Sequence, residues 1–219
     1  MHLGSCEEQR RRDESRKNKL DACIHFNVCK FGSGISACHN LSMARNTITE
    51  EYMKQQQELH KNPNYGVASL EFSPLVAQLV KQANIQSISD YGAGKKRLLE
   101  GLKANGVNLN NYYPFDPAFP EYGEPKSADL VCCIDVLEHI EPTKLSAVLE
   151  ELASITVGLG FFSIHMGPAG KVLSDGRNAH LIQKPTSWWL PRLSEHFNVL
   201  ELQQHQVFGV GFWCIVKKI

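Results

Sequence analysis

Three carboxylates in this chain stand where apolar, strand-like runs stop: Asp90 after Ser87-Ile-Ser, Asp116 after Asn111-Tyr-Tyr-Pro-Phe, and Asp135 after Leu130-Val-Cys-Cys-Ile. The first leads directly into Tyr91-Gly92-Ala93-Gly94. Glycines in a strand-to-helix turn allow tight backbone paths and let a ligand approach the N–H groups at a helix start. An acid at the end of the following strand, where Asp116 lies, suits ribose hydroxyls. The pattern describes a nucleoside site.

Its details narrow the ligand. A dinucleotide turn carries a third glycine three residues after the second, and that position is Arg97. An early acid with two glycines suits a ligand that ends in an amino acid and has no pyrophosphate, because the carboxylate can face the ammonium or its bound water. The reading favours S-adenosylmethionine over NAD.

Proton acceptors come next. Histidine titrates near neutral pH, and His139 and His165 both follow strand-like runs. Each also has a plain structural use as a capping or core residue. His180 ends the polar, turn-rich Ser174-Asp-Gly-Arg177-Asn178-Ala-His180, which has the character of a substrate loop or lid. Within it Arg177 can grip a phosphate or carboxylate and Asn178 offers a donor and an acceptor. Trp188, at the start of the next helix, can stack on a planar or sugar substrate or pack on the sheet.

These residues need elements to hold them. Helices are expected over 47–60, 74–80, 95–104, 142–156 and 188–196, and strands over 87–90, 111–116, 130–135, 160–165, 199–204 and 212–217. Proline at a first turn is taken as the start of the second helix. Strands separated by helices imply right-handed crossovers and a mostly parallel sheet covered on both faces. The architecture is a doubly wound α/β sandwich, whose ligands bind beyond the carboxyl ends of the strands.

Taken in order, Ile88-Ser-Asp90-Tyr-Gly92-Ala-Gly94, Tyr113-Pro-Phe-Asp116-Pro and Ala128-Asp-Leu-Val-Cys-Cys-Ile-Asp135-Val136-Leu137-Glu138-His139-Ile resemble successive motifs of class I S-adenosylmethionine-dependent methyltransferases, of the small-molecule and quinone-type branch. The resemblance runs over about residues 43–219. It implies a Rossmann-like sheet of seven strands with the last antiparallel. It also implies Asp90, Gly92 and Gly94 around the methionine moiety, Asp116 on the ribose, and Asp135, Val136 and Leu137 beside cofactor and substrate. Related enzymes often have a histidine where His180 stands, whereas Lys96 departs from a turn that often has a third glycine. The implied activity is methyl transfer to a hydroxyl or amine of a small molecule or glycan, with His180, His139 or His165 as proton acceptor. Such transfer needs alignment and exclusion of water, and intrinsically no metal.

Composition bounds the alternatives. The 219 residues suit one domain with a small appendage. Lys plus Arg equals Asp plus Glu at 23 each, so no global positive field gathers nucleic acid or an anionic membrane. A methyltransferase of nucleotides or nucleic-acid bases is the nearest alternative, although no Asn-Pro-Pro-Tyr or Asp-Pro-Pro-Tyr string is present. A non-catalytic protein that keeps the cofactor pocket is a second, and an NAD-dependent oxidoreductase a third. No apolar run reaches the length of a membrane span, and the expected location is the cytoplasm. Residues 1–42 read as a flexible extension, a late accretion or a start assigned too far upstream. Cys6, Cys23, Cys29 and Cys38, with His25 and His39, lack the spacing of a common zinc knuckle.

Overall fold

The computed structural model describes residues 47–219, so the extension over 1–42, with its cysteines and histidines, lies outside the described residues. Helix α1 (Glu50–His60) begins at Thr49, whose side chain accepts the Tyr52 N–H, and carries Glu50 and Glu51 in its first turn. A hydroxyl cap and acids at the positive helix end are the reasons it starts there. Helix α2 (Ala68–Gln82) runs through Pro74 instead of starting at it. Pro74 has no N–H for the Leu70 carbonyl, and the Ser73 hydroxyl donates to that carbonyl at 2.7 Å in its place.

The alternation then follows as β1 (Ser87–Tyr91), α3 (Arg97–Ala104), β2 (Asn111–Phe115), β3 (Ala128–Ile134), α4 (Leu145–Ile155), β4 (Thr156–His165), α5 (Thr186–Ser194), β5 (Phe197–His205) and β6 (Gly211–Lys218). The strands form one sheet in the order β2-β1-β3-β4-β6-β5. The first four pair in parallel, and β6 lies antiparallel between β4 and β5.

The described residues thus hold six strands and not the expected seven. The connection from β2 to β3 explains the difference. It carries Pro117, Pro120 and Pro125 and forms one 3-10 turn, Pro120–Tyr122. Proline supplies no ladder N–H, and a parallel crossover with its helix needs a dozen or more residues before any added strand. Strand β2 is therefore left as the edge.

Two cores fill the sandwich. On one face Phe72, Val76, Leu98 and Leu102 of α2 and α3 pack on Leu130, Cys132 and Phe161. On the other Leu149, Leu152, Trp189 and Leu193 of α4 and α5 pack on Val131, Cys133 and Phe162. Alternate residues of β3 and β4 serve opposite cores, which is why both strands are apolar throughout their middles. No helix among the described residues is long and apolar enough to cross a membrane.

Candidate functional site

The ends of β1, β2 and β3 meet α1 around a half-open cavity of about 950 Å³, its mouth included. Gly92 and Gly94 form the turn after β1, with φ of +79° and +47°. A Cβ on Gly92 would fall 2.3 Å from Val136 Cγ2, so the glycine is what lets the turns after β1 and β3 touch. Lys96, where the resembled turn often has glycine, adopts the left-handed φ of 60° that glycine would supply. Its ammonium sits 4.2 Å from the centre of the Tyr122 ring. Lys95 donates to the carbonyls of Asn62 and Tyr65 at 2.9 and 3.0 Å, fastening the α1–α2 loop to the glycine turn.

Asp116 lines the cavity. Its carboxylate accepts the N–H groups of Gly94 at 2.9 Å and Ala118 at 2.8 Å. Burial raises its pKa, and those two N–H groups oppose the rise. Asp90 behaves differently from expectation. It is buried away from the cavity lining, accepts the Tyr112 hydroxyl, and has its pKa pushed up to about 7 by burial. The β-strand alternation explains this: Asp90 and Tyr91 face opposite sides, and Tyr91 takes the cavity side.

Asp135 and Val136 line the cavity, whereas Leu137 is fully buried in the core. Asp135 has φ of 58°, a strained conformation that a short polar side chain tolerates. Its N–H donates to the carbonyl and hydroxyl of Ser163 at 3.1 and 3.2 Å. Next to it Glu138 is fully buried, and its Oε1 accepts the His165 N–H. Burial, and then the charge of Asp135, raise the Glu138 pKa.

The three expected histidines converge, with ring centres 4.6 Å apart for His139 and His180 and 4.9 Å for His165 and His180. Their partners separate them. His165 accepts the Gly167 N–H at Nδ1, 3.1 Å, while Nε2 faces the Phe208 carbonyl at 3.1 Å, so both nitrogens are engaged in tying β4 to the β5–β6 turn. His180 points Nδ1 at the Gly167 carbonyl, 2.8 Å away. That donation leaves its Nε2 lone pair available. His139 lines the cavity and its Nδ1 has no hydrogen-bond partner. Burial lowers the pKa of both, to about 4 for His139.

The loop over residues 170–184 is a packed hairpin. Leu173 N–H donates to Arg177 O at 2.8 Å and Ala179 N–H to Lys171 O at 3.0 Å, and Leu173 and Ala179 are buried against Tyr52 of α1. Arg177 spends its guanidinium on Asp175, at 2.8 and 2.6 Å. Asn178 spends its amide on Ala169 and its carbonyl oxygen on the N–H groups of Ala169 and His180. Trp188 lies beneath the Arg192 guanidinium, 3.6 Å from its ring centre. None of these three lines the cavity.

Sequence reasoning missed the wall formed by α1. Tyr52, Gln56 and His60 line the cavity, and their spacing of four puts them on one helix face, a signal present in the sequence. Tyr52 donates to the His139 carbonyl at 2.6 Å, Gln56 donates to Tyr52 Oη at 2.6 Å, and Tyr65 donates to Gln56 at 3.2 Å. His60 packs edge-on against Tyr65 and Phe119, with ring centres 4.9 and 5.0 Å away.

No family model matches the sequence, and no curated protein sequence matches it either. Solved structures match in fold. The 1,6-didemethyltoxoflavin-N1-methyltransferase of Burkholderia thailandensis, with bound 1,6-didemethyltoxoflavin and S-adenosylhomocysteine, is 13% identical over 89% of this chain and 98% of its own, with a TM-score of 0.56. The N-methyltransferase NodS of Bradyrhizobium japonicum, in complex with S-adenosylhomocysteine, is 11% identical over 78% and 99%, with a TM-score of 0.52. A mitomycin 7-O-methyltransferase is 12% identical over 75% of this chain and 60% of its own, with a TM-score of 0.56. At these identities the likeness is one of fold, and the fold is that of class I methyltransferases.

Proposed function

We propose that this chain is an S-adenosylmethionine-dependent methyltransferase acting on a hydroxyl or amine of a small molecule or glycan. The observation that carries the reading is the cavity lining: Gly92 and Gly94 after β1, Asp116 after β2, and Asp135 and Val136 after β3. They meet beside the boundary between β1 and β3, where the strand order reverses and ligands of open α/β sheets bind. The fit to a nucleoside with an amino-acid tail is good. The glycine turn and the buried acid after β2 line one side of the cavity, which suits a nucleoside, and the half-open space is of the size that takes a cofactor.

When bound, S-adenosylmethionine supplies a methyl group on a sulfonium, ready for in-line displacement. This chain's own groups then have three tasks. The glycine turn and Asp116 hold the nucleoside. The face of Tyr52, Gln56 and His60 on α1 walls one side of the cavity. Asp135, His139 and His180 offer lone pairs where the acceptor must lose its proton. Neighbours named for N-methylation and for O-methylation support both kinds of acceptor. Arg177, Asn178 and Trp188 act in this reading by shaping the hairpin and helix that carry His180, since their side chains are engaged with protein groups.

The test is turnover of methyl-labelled S-adenosylmethionine against a panel of hydroxyl- and amine-bearing small molecules and glycans. The expected result is S-adenosylhomocysteine release together with one added methyl on an acceptor. Cofactor binding without turnover over the whole panel makes the chain a binding protein instead.

A further inference from the structure

Asp135, His139 and His180 each offer a ligand atom, and these atoms lie within 4.8 Å of one another. They come from separate parts of the chain: the turn after β3 for the first two, and the end of the hairpin for the third. We infer that they bind one divalent first-row metal ion at the edge of the cavity, as a site of two imidazoles and a carboxylate.

Four observations support it. The donor set is the one that zinc, manganese, iron and cobalt share. The ring orientation fits, because His180 gives its Nδ1 hydrogen to the Gly167 carbonyl at 2.8 Å. A metal-bound imidazole is anchored in this way through its far nitrogen, which fixes the tautomer and aims Nε2. His139 presents a buried Nδ1 with no hydrogen-bond partner. Finally, Glu138, three residues from Asp135, is fully buried and has an Oε2 with no partner. Two adjacent carboxyl groups need a cation or a shared proton between them.

The geometry requires a modest adjustment. A tetrahedral ion with donors about 2.0–2.2 Å away sets them roughly 3.3–3.6 Å apart, a contraction that rotation of the two imidazoles supplies. Asp135 and His139 line the cavity, so the ion keeps a face toward an incoming acceptor. In the methyltransferase reading, on which this clause alone rests, the ion coordinates the acceptor oxygen and eases loss of its proton, as bound metals do for water. Asp135, His139 and His180 are then ligands, and proton release follows from coordination.

The test uses the full chain, stripped with chelator and titrated with Zn²⁺ and Co²⁺ by calorimetry and visible absorption. S-adenosylhomocysteine binding is measured in parallel. The expected result is one equivalent of Co²⁺ with ligand-field bands of nitrogen and oxygen donors, and a Zn²⁺-dependent rise in melting temperature. His180→Gln and Asp135→Asn should each weaken the metal at least tenfold while keeping the native circular dichroism. Asparagine tolerates the left-handed backbone at 135, so the second variant is the safer one for folding. If both misfold, the Co²⁺ spectrum of the unaltered chain decides. Bands of thiolate ligation would assign the metal to cysteines and overturn the proposal. So would absence of binding, which would leave a shared proton between Asp135 and Glu138, or unchanged affinity in the folded variants. Metal binding without S-adenosylhomocysteine binding would retain the site and remove the methyltransferase reading.

Discussion

Thr49 and Glu141 clasp each other: the Thr49 N–H and hydroxyl both donate to the Glu141 carboxylate, at 2.8 and 2.9 Å. The pair joins the start of α1 to the segment after β3, so the helix that walls the cavity is fastened at its first residue to the strand end that supplies Asp135.

Removing the clasp by Glu141→Ala should loosen α1 without unfolding the sheet. Thr49 is exposed and Glu141 half-buried, and a lost N-terminal contact of this kind costs about 0.5–1.5 kcal/mol. Hydrogen exchange should quicken in α1 and stay slow in β3 and β4. Uniform quickening throughout the chain would show that the clasp supports the whole fold.

Gly92→Ala meets two obstacles, a positive φ of 79° and a Cβ placed 2.3 Å from Val136 Cγ2. The expected destabilisation is about 1–3 kcal/mol. Combining it with Val136→Ala should recover the steric part and leave the backbone part, so a double-mutant cycle on melting data should show favourable coupling. Strict additivity would mean that the two turns do not meet.

Asp116→Ala should weaken S-adenosylhomocysteine by about 1–3 kcal/mol, the worth of charge-assisted bonds to hydroxyls. It should also lower the melting temperature without ligand, because the carboxylate holds the N–H groups of Gly94 and Ala118. Unchanged affinity would take the second-strand acid out of the nucleoside site.

Acid should destabilise the fold in a defined window. His60 has its pKa lowered from 6.5 to about 4, chiefly by burial and then by Lys95 and His139. Between those values the unfolded chain binds a proton that the folded chain refuses, so stability rises with pH there. Its contribution is fully present above about 6.5 and lost as pH falls toward about 4. Melting temperature should fall over that range, and His60→Gln should flatten the slope. His139 keeps part of it, with its pKa also near 4. A flat profile in the unaltered chain would contradict the burial of His60.

Much of the fold was legible because three of the four parallel strands are short runs with an acid at or just past their ends, and Asp116 and Asp135 line the cavity. What stayed hidden depends on partners distant in sequence. Asp90 is claimed by Tyr112 and Leu137 by the core, and nothing in their local sequence announces those partners, whereas Asp175, which claims Arg177, stands two residues from it. That the described residues hold no seventh strand was signalled by three prolines between β2 and β3, against what the resemblance implied. Pro74 misled for a different reason: its unmet acceptor is served by Ser73, one residue away.

The central claim is that the cavity between the glycine turn and α1 takes S-adenosylmethionine, and calorimetric titration with S-adenosylhomocysteine beside NADH tests it most directly. Saturable binding of S-adenosylhomocysteine alone is predicted, with a stabilisation of about 2.7 kcal/mol at a hundredfold excess over Kd. Binding of NADH, with no heat or melting shift from S-adenosylhomocysteine, would contradict it.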